Sequence, residues 1–182
     1  MKIIHITGPE STGKSTLSEY LVHSLPHAIL VKEYARFWLE SKKQESYTEQ
    51  EVLEMFHGQC AWWRNAKSAD ASYLICDTDT LVYAVWMSFV YHHVHPEVVL
   101  GHHEFEPDIS VLCAPDIAWE FDPLRSNPED RQALFLLYQK ELEKLSRPYF
   151  ICKGEGEDRM SKVLSDILTY FSIDHSKEKN TY

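Results

Sequence analysis

Gly8-Pro9-Glu10-Ser11-Thr12-Gly13-Lys14-Ser15-Thr16 follows a short apolar run, Ile3-Ile4-His5-Ile6. The spacing is Gly, four residues, then Gly-Lys-Ser, placed where a strand should turn into a helix. Glycines at both ends let the backbone curl around an anion with its amide hydrogens turned inward. The lysine then reaches β- and γ-phosphates, and the hydroxyl after it suits a magnesium ion. A helix starting near Gly13 adds the positive end of its dipole. On this reading Gly8, Glu10, Ser11, Thr12, Gly13, Lys14, Ser15 and Thr16 bind the triphosphate of ATP. An ordinary glycine turn would leave the lysine and the serine unexplained.

Outward from the loop, apolar strands alternate with amphipathic helices. Residues 2–7 read as a buried strand, and Leu17, Leu21 and Leu25 share one face of the helix after the loop, which Pro26 ends. A second strand at 28–31 leads into Lys32-Glu33-Tyr34-Ala35-Arg36 and a short helix to about residue 41. Thr48 with Glu51 forms a capping box for a helix whose Val52, Met55, Phe56, Cys60 and Trp63 lie on one side. Residues 73–76 form a third strand ending at Asp77, followed by a helix from 78 to about 93. A fourth strand at 109–113 and a polar, aromatic loop come next. Asn127 is expected to cap a helix with Pro128 in its first turn. A fifth strand at 149–152 precedes the most periodic helix: Met160, Val163, Leu164, Ile167, Leu168 and Phe171. This order predicts a three-layer α/β domain over residues 1–172, with a central parallel sheet of about five strands and a polar tail at 173–182.

Composition narrows the partners. The 182 residues are 44% hydrophobic and 25% charged, with a formal net charge of −10. That acidity repels a nucleic-acid backbone. The longest apolar stretch, at 81–91, is too short to span a bilayer, and the apolar start breaks at Gly8, too soon for a signal core. The expectation is a cytoplasmic protein acting on a small molecule, with neither nucleic acid nor membrane as partner and homo-oligomerisation left open. Cys60, Cys76, Cys113 and Cys152 form no CxxC pair and read as buried thiols in a reducing compartment.

Ligands of parallel sheets sit at the carboxyl ends of the strands, and those ends carry the candidate chemistry. Asp77 fits the second magnesium anchor beside Ser15. Asp79 is either a site carboxylate or a helix cap. Thr78 stands between them where hydrolytic ATPases commonly carry Glu, which argues against plain hydrolysis. Glu33 follows strand two and could deprotonate an acceptor hydroxyl. The residues leave Glu33, Asp77 and Asp79 unranked for that role. Arg36, one helical turn on, could hold a phosphate. Arg125 and Arg131 are the candidate lid arginines, with Trp119 and Phe121 as stacking surfaces. His92, His93, His95, His102 and His103 lack metal-ligand spacing and read as a polar helix end and loop.

Gly8 through Thr16, Lys32-Glu-Tyr-Ala-Arg36, Cys76-Asp-Thr-Asp79, Ala114-Pro-Asp-Ile-Ala-Trp119, Asp122-Pro-Leu-Arg125 and Asp130-Arg131 together resemble the ribosylnicotinamide kinase domain of NadR-type proteins. The resemblance covers almost the whole chain in order. It implies a P-loop kinase-like fold with ATP and Mg2+ as cofactors. The implied reaction moves the γ-phosphate of ATP to the 5′-hydroxyl of nicotinamide riboside, giving nicotinamide mononucleotide for NAD salvage. For that substrate, the clustering of acidic and aromatic residues makes Trp119, Trp86 or Tyr34 the expected stacking face for the cationic pyridinium. The nucleotidyl-transfer and DNA-binding domains found in full-length members are not expected, because the loop starts at residue 8.

Overall fold

The computed structural model describes residues 1–42, 47–122 and 128–178. Five strands, β1 (Lys2–Thr7), β2 (Ala28–Val31), β3 (Tyr73–Asp77), β4 (Ile109–Cys113) and β5 (Tyr149–Cys152), form one sheet. Its order is β2-β3-β1-β4-β5, and every pairing is parallel. The connecting helices are α1 (Lys14–Ser24), α2 (Tyr34–Lys42), α3 (Glu49–Lys67), α4 (Thr80–Tyr91), α5 (Pro96–Glu104), α6 (Arg131–Lys144) and α7 (Gly156–Glu178). The three-layer α/β fold expected from the alternation is the fold observed.

Side chains alternate across each strand, so β1 serves two cores. Ile4 and Ile6 join Ile75 and Val111 against Leu17 and Leu21 of α1 and Val163 and Ile167 of α7. The opposite face meets α3, α4 and α5 through Leu74, Cys76, Phe56, Trp63 and Met87. A third cluster seats Leu134, Tyr138 and Leu142 of α6 on Leu112 and α4. Full burial of each such aliphatic side chain is worth about 1.5–3 kcal/mol. Because β1 lies between β3 and β4, its carboxyl end opens at the point where the chain's connections diverge, and the glycine-rich loop stands there.

Some element boundaries differ from the sequence reading. The helix expected from residue 78 begins at Thr80, because Asp79 caps it, and ends at His92 in a left-handed conformation, φ 61°. Residues 96–104, expected as loop, form α5, with His95 as N-cap and Pro96 in the first turn. Pro128, Glu129 and Asp130 form a turn ahead of α6 rather than its first turn, and Asn127 lies outside the described residues. Helix α7 runs to Glu178, past residue 172 where the polar composition suggested an end. All four cysteines are buried and free. Among the described residues no helix is long and apolar enough to cross a membrane.

Candidate functional site

The loop from Gly8 to Gly13 is built on backbone that only certain residues tolerate. Gly8 has φ 130°, and a Cβ there would stand 2.7 Å from the Cys113 carbonyl oxygen of β4. Gly13, at φ 74°, caps α1 with no side-chain hydrogen bond, which leaves the first-turn amides of that helix open toward the loop's concave side. Thr12 Oγ1 donates to Pro9 O at 2.8 Å, and Ser11 Oγ accepts from Glu120 N at 2.9 Å. Two arginines brace the outside. Arg159 Nη2 donates to Thr12 O at 2.8 Å, and Arg131 Nη1 donates to Ser11 O at 3.0 Å. Lys14 Nζ lies over the loop, donating to Gly8 O at 2.9 Å and Pro9 O at 2.7 Å.

Two chambers flank Lys14. The first, about 890 Å³, is lined by residues 10–16 with Glu33, Arg36, Ile117 and Glu120. The second, about 770 Å³, takes Tyr47, Val52 and Met55 from one side, Val82, Tyr83 and Trp86 from α4, and Leu134 and Tyr138 from α6. They share Glu10, Lys14, Glu33, Ala35 and Leu39. One chamber is thus lined mainly by the glycine-rich loop. The other is aromatic, and the lysine and two carboxylates, Glu10 and Glu33, stand where they meet.

Glu33 is held in place from behind. Gln59 of α3 is fully buried, and its amide accepts from Tyr34 N at 2.7 Å and donates to Lys32 O at 3.1 Å. It therefore brackets the peptide units on both sides of Glu33. The sequence carried a weak signal for it: an amide on the apolar face of α3, between Phe56 and Trp63. Burial pushes the Glu33 carboxyl above its ordinary pKa against the pull of Lys14.

Asp77 is 4% exposed and, like Ser15, lines an outer groove beside β2. Burial raises its pKa, with Ser15 and Lys14 opposing. Its Oδ1 is buried without a hydrogen-bond partner. Glu33 lines the same groove. An orphaned carboxylate oxygen beside a hydroxyl is a hard-oxygen donor set, which fits Mg2+ rather than a soft metal. Asp79 faces elsewhere. Its Oδ1 accepts from Val82 N and from Thr7 Oγ1, both at 3.1 Å, and its Oδ2 lies 3.7 Å from His5 Nδ1. Burial acts to raise its pKa, but His5, Arg147 and His102 together outweigh this and hold the carboxyl below the ordinary range. Neither Asp77 nor Asp79 lines a chamber; Asp77 opens on the outer groove, whereas the oxygens of Asp79 face the α4 cap, Thr7 and His5, which gives it the capping role.

The other candidates divide in the same way. Trp86 lines the aromatic chamber. The Tyr34 ring instead packs on Trp62 at 4.9 Å and fills the space over Gly58, while Trp119 lies under the Arg131 guanidinium at 5.6 Å. Neither ring lines a chamber. Arg36 borders the first chamber and pairs with Asp122 at 2.8 Å. Arg131 also donates to Ile117 O at 3.1 Å, which makes it a brace of the loop rather than a free lid arm. Phe121 is 85% exposed, and Arg125 lies outside the described residues. The histidines serve packing and pairing. His93 bonds Glu49 and His57 bonds Glu97, while buried His102 bonds Thr80 Oγ1 at 2.7 Å.

The family model described as "AAA domain" matches residues 3–159. No curated protein matches the sequence. Among solved structures, a NadR protein in complex with NR superposes with a TM-score of 0.78 at 21% identity, covering 93% of this chain and 50% of that one. A NadR protein in complex with NAD and AMP-PNP gives 0.72 at 19%, covering 93% and 49%. Deoxyadenosine kinase from M. mycoides gives 0.64 at 15%, covering 92% and 99%. The chain therefore spans about half the length of the NadR proteins it matches and nearly all of the deoxyadenosine kinase. At these identities the likeness is one of fold: a parallel five-stranded P-loop sheet shared with NadR and a nucleoside kinase.

Proposed function

The chain belongs to the AAA-domain family, and from that premise we propose that it is an ATP-dependent small-molecule kinase. It transfers the γ-phosphate of ATP to the 5′-hydroxyl of a nucleoside. The acceptor we assign is nicotinamide riboside, and the product, nicotinamide mononucleotide, feeds NAD salvage. One observation carries this reading: a chamber lined by the glycine-rich loop and an aromatic chamber meet at Lys14, Glu10 and Glu33. A hydrolase needs the first chamber and a water. A kinase needs the second chamber too, to bring an alcohol to the phosphate and exclude water.

In this reading residues 8–16 wrap the triphosphate, and Lys14 leaves its loop carbonyls to bridge the β- and γ-phosphates. Glu33 accepts the proton of the acceptor hydroxyl. Its raised pKa makes it a stronger base than an exposed glutamate, and the Gln59 bracket fixes its aim. Ser15 and Asp77 would hold Mg2+, which when bound neutralises charge on the phosphate oxygens. Arg36 borders the phosphate side. In the aromatic chamber, Trp86 and Tyr47 offer π-faces and Glu10 and Glu33 offer negative charge, a setting suited to a flat pyridinium cation. Cation–π attraction there contributes about 0.5–2 kcal/mol.

The test is ADP release from Mg-ATP across a panel of ribosides, with the product identified by mass. Turnover that depends on nicotinamide riboside, with a mass gain of one phosphate, is the expected result. Turnover on another nucleoside would keep the kinase and replace its acceptor. Fast ADP release with no acceptor would overturn the kinase reading in favour of hydrolysis.

A further inference from the structure

Five non-glycine residues among those described have positive φ. Ser11, His27, His92 and Ser146 lie at 52–61°, inside the left-handed helical well. Thr78 lies at 93°, beyond it, and is the β-branched residue of the set. That backbone suits glycine and opposes a branched Cβ. The same residue carries a second cost. It is 1% exposed, and its Oγ1 is buried without a hydrogen-bond partner. It also lines the aromatic chamber next to Gly8, Lys14 and Glu33.

Such a conformation persists where its surroundings over-determine it, and Thr78 is anchored on each side. Its own amide donates to Ile6 O at 3.2 Å. Before it, Asp77 pairs in register with Ile6 and lines the outer groove with Ser15 at the start of α1. After it, Asp79 caps α4 and accepts from Thr7. In a continued strand, residues 77 and 79 would point to one face. Here they part: Asp77 goes to the α1 side and Asp79 to the α4 side, where His5 waits. Helix α4 carries Val82, Tyr83 and Trp86 into the aromatic chamber. The reversal at Thr78 therefore joins the oxygen pair Ser15–Asp77 to the wall of the other chamber.

We propose that Thr78 is a positioning residue whose constrained backbone fixes the aim of Asp77 relative to α4, keeping the two chambers in register. It acts through its neighbours and touches no reacting atom. The kinetic part of this inference rests on the kinase reading; the binding part does not.

The test compares Thr78→Gly, which frees the turn, with Thr78→Ser, which keeps a hydroxyl and an L-residue's restriction of the backbone. Melting temperature, Mn2+ affinity of the ADP complex by electron paramagnetic resonance, and steady-state kinetics are read on both. Thr78→Gly is expected to melt within about 2 °C of wild type or higher, since the strain is relieved. Its kcat should fall about tenfold with the KM for ATP within about twofold, and its Mn2+ affinity should weaken about fivefold. Thr78→Ser should stay within about twofold of wild type in each measure. A glycine variant that keeps kcat and Mn2+ affinity, or that loses stability and activity together, would overturn the proposal. If wild type phosphorylates no nucleoside, the kinase reading falls, and the Mn2+ titration alone decides the role of Thr78.

Discussion

The two chambers that meet at Lys14 are built in opposite ways. The loop side comes mainly from residues 10–16, one unbroken stretch. Its shape follows from two glycines with positive φ and from arginines that grip loop carbonyls. The aromatic side collects Tyr47, Met55, Trp86 and Tyr138 from segments far apart in the chain. Backbone geometry makes the first; packing of α3, α4 and α6 makes the second. The first should therefore tolerate little variation in sequence, and the second should change its ligand through single side chains.

Lys14→Ala should break the comparison hardest. Among the described residues the ammonium bonds to the loop's own carbonyls alone, so circular dichroism should report an intact fold. Phosphoryl transfer should fall by about a thousandfold or more. Full activity in that variant would end the mechanism proposed above.

Glu33→Gln tests the junction. Loss of a general base costs about a hundred- to a thousandfold in kcat, with nucleotide affinity preserved. Wild-type activity needs Glu33 ionised, so it should fall as pH drops through a pKa lying above the ordinary glutamate value, because burial raises it. The glutamine variant should lose that acid limb. An unchanged profile would move the base elsewhere.

Acid should separate the two sides. Buried His102 bonds Thr80 at the start of α4, and burial holds its pKa down to about 4, from the ordinary 6.5. The folded protein keeps it neutral while the unfolded chain protonates it. The stabilisation is thus complete above pH 6.5 and is lost as pH falls toward 4, by about 3 kcal/mol in all. The melting temperature of wild type should drop across that window. His102→Asn should show a flatter dependence, and an equally steep one would refute the assignment.

The smallest expected effect belongs to a single ring. Trp86→Ala should raise the KM for the riboside about tenfold, the scale of one cation–π and stacking contact, and leave the KM for ATP alone. Equal changes in both constants would show that the chambers are not separable.

Much of this was legible in the sequence. The strands, the order of elements, the loop and the positions of Glu33, Asp77 and Arg36 at strand ends all follow from local patterns. The readings that changed involved competing local and tertiary roles. Asp79 had the spacing of a site carboxylate and of a cap, and only the folded position of His5 and Thr7 decides for the cap. Tyr34 and Trp119 are aromatic residues in the right segments, yet Gly58 leaves room for one and Arg131 covers the other. Gln59 drew no notice because its partners, Lys32 and Tyr34, are 27 and 25 residues away.

By itself the sequence determined where the proposed polyanion site lies, because a loop of nine consecutive residues contains the glycines, lysine and serine that such a site requires. Which carboxylates line the junction, and which rings wall the second chamber, was settled by the tertiary structure alone. Those positions depend on how helices distant in sequence pack across the sheet, and no local spacing encodes that distance.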